Sequence, residues 1–164
     1  MSDHLITYPI HRRLNNWFGE AEEINGADRC TTYLFRWVIG EFSYFDLRTR
    51  RMGRARTYLH HIVGNDWSRD LHDHPKRFIS FGVFGSYLEE TLKGKRRFRA
   101  PWLRTFPAEH KHRLTTPWGP CWTIVIVLET EREWGFWPDG RFVPWRSYVY
   151  GADSDLADKA KDCP

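Results

Sequence analysis

Leu71-His72-Asp73-His74-Pro75 carries two imidazoles two residues apart, and Pro107-Ala108-Glu109-His110-Lys111-His112 supplies two more about forty residues later. On an extended chain, side chains two apart project from the same face. His72 and His74 on one strand, joined by a third imidazole from a later strand, can hold a divalent metal inside a small β-barrel. Imidazole suits Fe, Zn, Ni and Cu alike, so the ligand type does not select the metal.

The elements that must position these rings read as strands. Thr31-Ile39 is β-branched and aromatic and stops at Gly40. Arg56-Val63 follows and breaks at Gly64-Asn65-Asp66. Arg77-Phe84 alternates and ends at Gly85, and Ser86-Leu92 ends at Lys93-Gly94-Lys95. Arg96-Arg99 and Trp102-Phe106 are short, Cys121-Leu128 is continuously apolar, and Gly135-Phe142 reads as a hairpin around Pro138-Asp139-Gly140. Strand runs spaced by Gly and Pro turns, with few helical periods, predict a sandwich or barrel. Residues 1–30 differ: His11-Phe18 reads as a short helix ending near Gly19, and Ile24-Asp28 as a turn. The expected organisation is an N-terminal arm over 1–30, a barrel over 31–150 and a polar tail over 151–164.

The 164 residues suit one domain with a real core. Hydrophobic residues at 41% and charged residues at 28% are those of a soluble globular chain. The aromatic content is the outlier, with 9 Trp, 7 Tyr and 11 Phe, and it favours strands and flat pocket walls. A net charge of +4 fits an anionic ligand or loose nucleic-acid contact, although many basic proteins bind neither. Cys30, Cys121 and Cys163 have no zinc-ribbon spacing. No signal peptide opens the chain and no apolar run is long enough to span a bilayer, so the cytoplasm is the expected location.

The two histidine segments resemble the motifs of the cupins, a family of jelly-roll barrels. Asp66, five residues, His72-Asp73-His74, three residues, Phe78, six residues and Gly85 follow the first motif, with Asp66 at its first glycine and Phe78 at its glutamate. Pro101, five residues, Pro107-Ala108-Glu109, two residues, His112, three residues and Thr116 follow the second, where Pro107 and His112 match and Pro101, Glu109 and Thr116 depart. His72 to Pro75, Phe78 to Ser80, Gly85 to Glu89, His112 to Leu114, Trp122 to Ile124 and Trp134 to Phe136 look like a small cupin family common in bacteriophages, which would place the protein in the host cytoplasm.

The resemblance implies an all-β fold, a single double-stranded β-helix with a short N-terminal helical arm. It implies His72, His74 and His112 as metal ligands, with His110 a ligand in an alternative register or an acid-base group at the rim. A three-histidine cupin site resembles that of the thiol dioxygenases and favours Fe(II), with Zn, Ni or Mn as alternatives. It also implies that a homodimer is possible.

Further candidates follow from alternation. Tyr87 and Glu89 share a face; turned inward, Glu89 is a general base or outer-sphere partner and Tyr87 a donor. Turned outward, Glu89 pairs with Arg97 or Arg99. Arg113 and Arg132 are candidates to clamp a carboxylate or phosphate, with surface ion pairs as the alternative. Phe78 is expected to wall the pocket, and a tryptophan such as Trp122 to stack on a ring-shaped ligand. His60 and His61 are expected to give one buried and one exposed ring.

The function expected is that of a metal-binding protein acting on a small anionic or aromatic molecule, such as a nucleotide derivative, by dioxygenase-like oxidation. A binding module for a sugar or nucleotide, and a phage structural or host-interaction protein with a stabilising metal, are the alternatives. Whether the site is catalytic stays open at this stage, because fold does not fix function.

Overall fold

A computed structural model describes residues 9–25, 32–66 and 69–150. Helix α1 (Pro9–Phe18) is followed by β1 (Glu22–Asn25), β2 (Thr32–Asp46), β3 (Arg51–Ile62), β4 (Lys76–Phe84), β5 (Ser86–Thr91), β6 (Gly94–Arg99), β7 (Trp102–Phe106), β8 (Arg113–Thr115), β9 (Cys121–Thr130), β10 (Gly135–Phe136) and β11 (Val143–Pro144), and then by α2 (Trp145–Tyr150). A six-stranded antiparallel sheet has the order β1-β2-β3-β9-β4-β7, and a three-stranded sheet has the order β6-β5-β8.

Alternation along the central strands decides which side chains lie between the sheets. Cys121, Thr123 and Val125 of β9 are buried, as are Ser80 and Gly82 of β4, while Phe81 and Val83 face out. The core joins both sheets: Tyr33, Leu34, Ile62 and Cys121 pack with Tyr87, Phe98 and Leu114. The opposite face of β2, β3 and β9 is covered by α1. There Leu14 packs on Phe35 and Trp37, and Trp37 Nε1 donates to Asn15 Oδ1 at 2.7 Å. Covering this face changes the expectation for the neighbouring histidines. His61 lies beneath α1, 2.8 Å from His11, and stacks on Trp122 at 3.9 Å, while the Nε2 atom of His60 is buried on the other face.

Three boundaries differ from the sequence reading. β2 does not stop at Gly40: the register shifts between Val38 and Gly40, and pairing with β3 resumes and continues to Asp46. The glycine therefore marks a bulge, not an end. Ile24 and Asn25 are paired with Leu34 and Thr32 instead of forming a turn. The short α2 helix carries no pattern that announces it. Residues 26–31 and the polar tail from 151 to 164 lie outside the described residues.

Gly85 makes the turn from the large sheet into the small one. Its φ is +82°, and a Cβ there would lie 2.3 Å from the carbonyl oxygen of Pro120. Both left-handed backbone and lack of room exclude a side chain. Gly85→Ala is expected to lower the unfolding free energy by about 2 kcal/mol or more, read as a shifted urea midpoint. An unchanged midpoint would mean that this turn relaxes freely.

Candidate metal centre

The His-x-His segment is extended but is not a full strand. His72 forms isolated bridges with His112 on one side and Phe136 on the other. Its backbone N–H donates to His112 O at 3.0 Å, and His112 N–H donates back to His72 O at 2.9 Å. This reciprocal pair puts the two rings side by side. His74 follows just before β4, with its N–H on Ala108 O at 3.0 Å.

The three rings form a near-equilateral cluster. Ring centroids are 5.0 Å apart for His72 and His74, 5.1 Å for His72 and His112, and 4.9 Å for His74 and His112. One nitrogen from each lies within 4.8 Å of the others, and Nε2 of His74 is 2.8 Å from Nε2 of His112.

The outer nitrogens face carboxylates. Glu89 Oε1 is 2.9 Å from Nδ1 of His112 and 2.9 Å from Nε2 of His110. Asp66 Oδ2 lies 3.3 Å from Nδ1 of His72, a close contact not aligned as a hydrogen bond. A carboxylate on one imidazole nitrogen fixes the tautomer and leaves the other nitrogen as a lone-pair donor.

Burial favours the neutral form of His74 and His112. It pushes His74 well below the usual histidine range, helped by the neighbouring rings His112, His72 and His110. It pushes His112 down to about 4 against the opposing pull of Glu89. Burial alone would raise Glu89, but hydrogen bonds from His110, His112 and Arg104 overcome it and hold the carboxyl well below its ordinary value. An ionised Glu89 beside a neutral His112 is the state that this geometry stabilises. Three converging imidazoles, two of them backed by carboxylates, fit a divalent cation.

No protein-family model matches the chain, and no curated protein matches its sequence. Solved structures do match. The polyketide cyclase RemF from Streptomyces resistomycificus aligns with a TM-score of 0.54 and 13% identity, over 79% of this chain and 86% of that chain. An RmlC-like cupin from Shewanella frigidimarina aligns over 80% of this chain and 95% of that one, at 16% identity and a TM-score of 0.49. The mostly β, antiparallel architecture is that of RemF and is consistent with a cupin jelly roll. Among the described residues, no helix is long and apolar enough to cross a membrane.

In this fold the other sequence candidates separate clearly. Glu89 and Tyr87 are both inside and 3% exposed. The partner of Glu89 is neither Arg97 nor Arg99 but Arg104 of β7, whose Nη2 donates to Oε2 at 2.7 Å while Nη1 donates to the Tyr87 hydroxyl at 2.8 Å. Arg97 instead bonds Ser86 and lies over Trp118. With both oxygens occupied, Glu89 is placed to orient His110 and His112. His110 joins it in a second group, Glu89, His110 and His112, which shares His112 with the first. Phe78 stands beside His74 at 4.8 Å between centroids and stacks on Phe106 at 4.4 Å.

Arg113, Arg132 and Trp122 are placed elsewhere. Arg113 follows His112, so alternation turns it to the other face, where it pairs with Glu90. Arg132 donates to Asp73 Oδ2 at 2.8 Å. Trp122 is on the outer face of β9 against His61 and Trp37. Neither arginine offers an uncommitted guanidinium, and Trp122 does not border the histidines.

Three residues went unrecognised in the sequence: Asp66, Asp73 and Arg104. Asp66 was visible only as a departure from a motif glycine. Asp73 was passed over as the residue between two ligands. Arg104 alternates with Trp102 and Phe106, which was a usable signal.

The buried histidines make a pH prediction. His60, His61 and His112 are held near 3, 4 and 4, and His74 well below 6.5, in each case first by burial. The unfolded chain binds protons on these rings below about pH 6.5, and the folded chain does not. Stability therefore falls as pH falls through that value, by roughly 1 kcal/mol per pH unit for each ring that stays neutral. Chelator-treated protein should show a steep loss of urea midpoint between pH 7 and pH 5. A flat profile would show that these rings take up protons without unfolding.

Proposed function

We propose that this protein is a metal-dependent cupin that binds a small anionic or aromatic molecule at His72, His74 and His112, with Fe(II) the favoured metal and oxidation by dioxygen the favoured reaction. The carrying observation is the convergence of three imidazoles, two of which, His72 and His112, turn their outer nitrogens to Asp66 and Glu89. When bound, a divalent metal supplies Lewis acidity there, and Fe(II) adds one-electron chemistry with dioxygen.

The chain's own residues have distinct tasks in this reading. Glu89 holds His112 and His110 and is itself anchored by Arg104. His110, with a side chain 24% exposed, is the group placed to exchange a proton with solvent. Tyr87, its hydroxyl fixed by Arg104, shapes the floor. The Phe78–Phe106 stack gives an apolar wall beside His74, suited to a flat or aliphatic part of the ligand. Fold likeness to a polyketide cyclase is compatible with catalysis but does not transfer that reaction.

The test is elemental analysis of purified and reconstituted protein, followed by oxygen uptake of the iron-loaded form with thiols and aromatic carboxylates. One metal per chain and substrate-dependent uptake are expected. Reconstituted protein with no metal above buffer would overturn the reading.

Phe78 gives a gain-of-function prediction. It holds the position of the cupin motif glutamate, and its ring lies against His74. Phe78→Glu is expected to tighten divalent metal binding on the order of tenfold, because an anionic fourth ligand complements the ion's charge. A competition titration against a chelator measures it. Unchanged affinity in the folded variant would place the new carboxylate out of reach.

A further inference from the structure

Beyond the bulge at Gly40, the inward face of β2 and β3 continues to the mouth of the barrel. One cross-strand row runs Glu41, Arg56, Val127, Phe78 and Phe106, through the pairings of β2 with β3, β3 with β9, β9 with β4 and β4 with β7. Phe78 in this row touches His74. The row leads straight from the histidine cluster to an open groove of about 450 Å³, lined by Arg54, Arg56, Lys76, Tyr58, Val127, Glu41 and Glu129 among others.

The charges in the groove are not balanced. Arg56 is held by Tyr58 and by Glu41, whose Oε1 accepts from Nε at 2.6 Å. Glu129 Oε1 accepts the backbone N–H of Arg54 at 3.0 Å. The guanidinium of Arg54 and the ammonium of Lys76 have no carboxylate partner among the described residues. Arg54 and Lys76 therefore flank Arg56, and the lining as a whole sets three cations against the two carboxylates Glu41 and Glu129, an excess of positive charge. Lys76 stands two residues after His74 and two before Phe78, so the cationic groove and the histidines are joined along β4 as well as across the sheet. Elsewhere near the site, Arg113 and Arg132 are consumed by Glu90 and Asp73.

We propose that this groove is an anion subsite that takes the phosphate of an elongated ligand, with the rest of that ligand lying over Val127 and Phe78 toward the histidines. A phosphate presents several acceptor oxygens, enough to take donors from Arg54 and Lys76 on both sides of the groove, where a single carboxylate presents two. The link to the histidines rests on the metal-centre reading above; the phosphate site itself does not.

The experiment is calorimetric titration of pyrophosphate into the full-length, chelator-treated protein at constant ionic strength, with metal uptake measured separately. Wild-type protein is expected to bind. The Arg54→Ala/Lys76→Ala variant should bind at least about tenfold more weakly while taking up metal normally. Arg12→Ala/Arg13→Ala, which removes two exposed cations from α1, should leave binding unchanged. No wild-type binding, an unaffected groove variant, or equal losses in both variants would overturn the subsite. Failure of metal uptake with pyrophosphate binding intact would count against the metal centre alone and leave the subsite standing.

Discussion

Replacing His112 with alanine is expected to abolish stable metal binding and to lower folding stability by about 2–4 kcal/mol. The ring is 4% exposed and sits at the centre of both histidine groups. Its Nε2 faces His74 and its Nδ1 faces Glu89, so one substitution removes a ligand, opens a cavity and strips a buried carboxylate of a donor. Elemental analysis and urea denaturation of the same preparation read the two effects. Because His112 belongs to both groups, the choice between them needs two further variants. His74→Ala should lose the metal, and His110→Ala should keep it, since His110 spends its nearer nitrogen on Glu89. The reverse pattern would move the metal to Glu89, His110 and His112. Glu89→Gln keeps the shape but loses the charge, and should weaken metal binding by about 10- to 100-fold, as expected for a carboxylate that orients a ligand.

Much of this was legible in the sequence because strand alternation acts locally. His72 and His74 share a face whether or not they lie in a full strand, and Tyr87 and Glu89 are turned inward together. Gly85 and the run after it fixed where one sheet ends and the other begins. What alternation does not encode is the partner across the barrel. Nothing within β5 indicates that Glu89 meets Arg104, fifteen residues later on another sheet, in place of an arginine on its own hairpin. Of the two roles open to Arg113, the ion pair is the one formed, with Glu90: its position next to His112 in sequence puts it on the opposite face. Trp122 and His61 depend on α1, because the outward side of a strand is exposed only until another element covers it. The bulge at Gly40 was read as an end because glycine marks both.

Removing the Asp73 carboxylate is expected to cost a large share of the folding stability. It is 0% exposed and sits between His72 and His74. Its oxygens accept from the backbone N–H of Gly135 at 2.9 Å, from Arg132 at 2.8 Å and from Trp137 Nε1 at 3.1 Å. Asp73→Ala leaves two neutral donors unpaired and a partly buried guanidinium without its counter-ion, a loss of about 3–5 kcal/mol. Asp73→Asn should lose less, because its one carbonyl oxygen can still accept from part of this set. The Glu22–Arg36 pair is the contrast: its side chains are 59% and 31% exposed, and Glu22→Ala should change stability by less than about 1 kcal/mol. Asp73 also sets the spacing of its two neighbours by tying the turn to β10, so its loss should weaken metal uptake even though it donates nothing to the metal. Urea denaturation with chelator and with saturating metal separates these roles. A deficit present in both conditions, and larger with metal, is expected. A deficit seen only with metal would make Asp73 a part of the metal site alone and remove it from the scaffold.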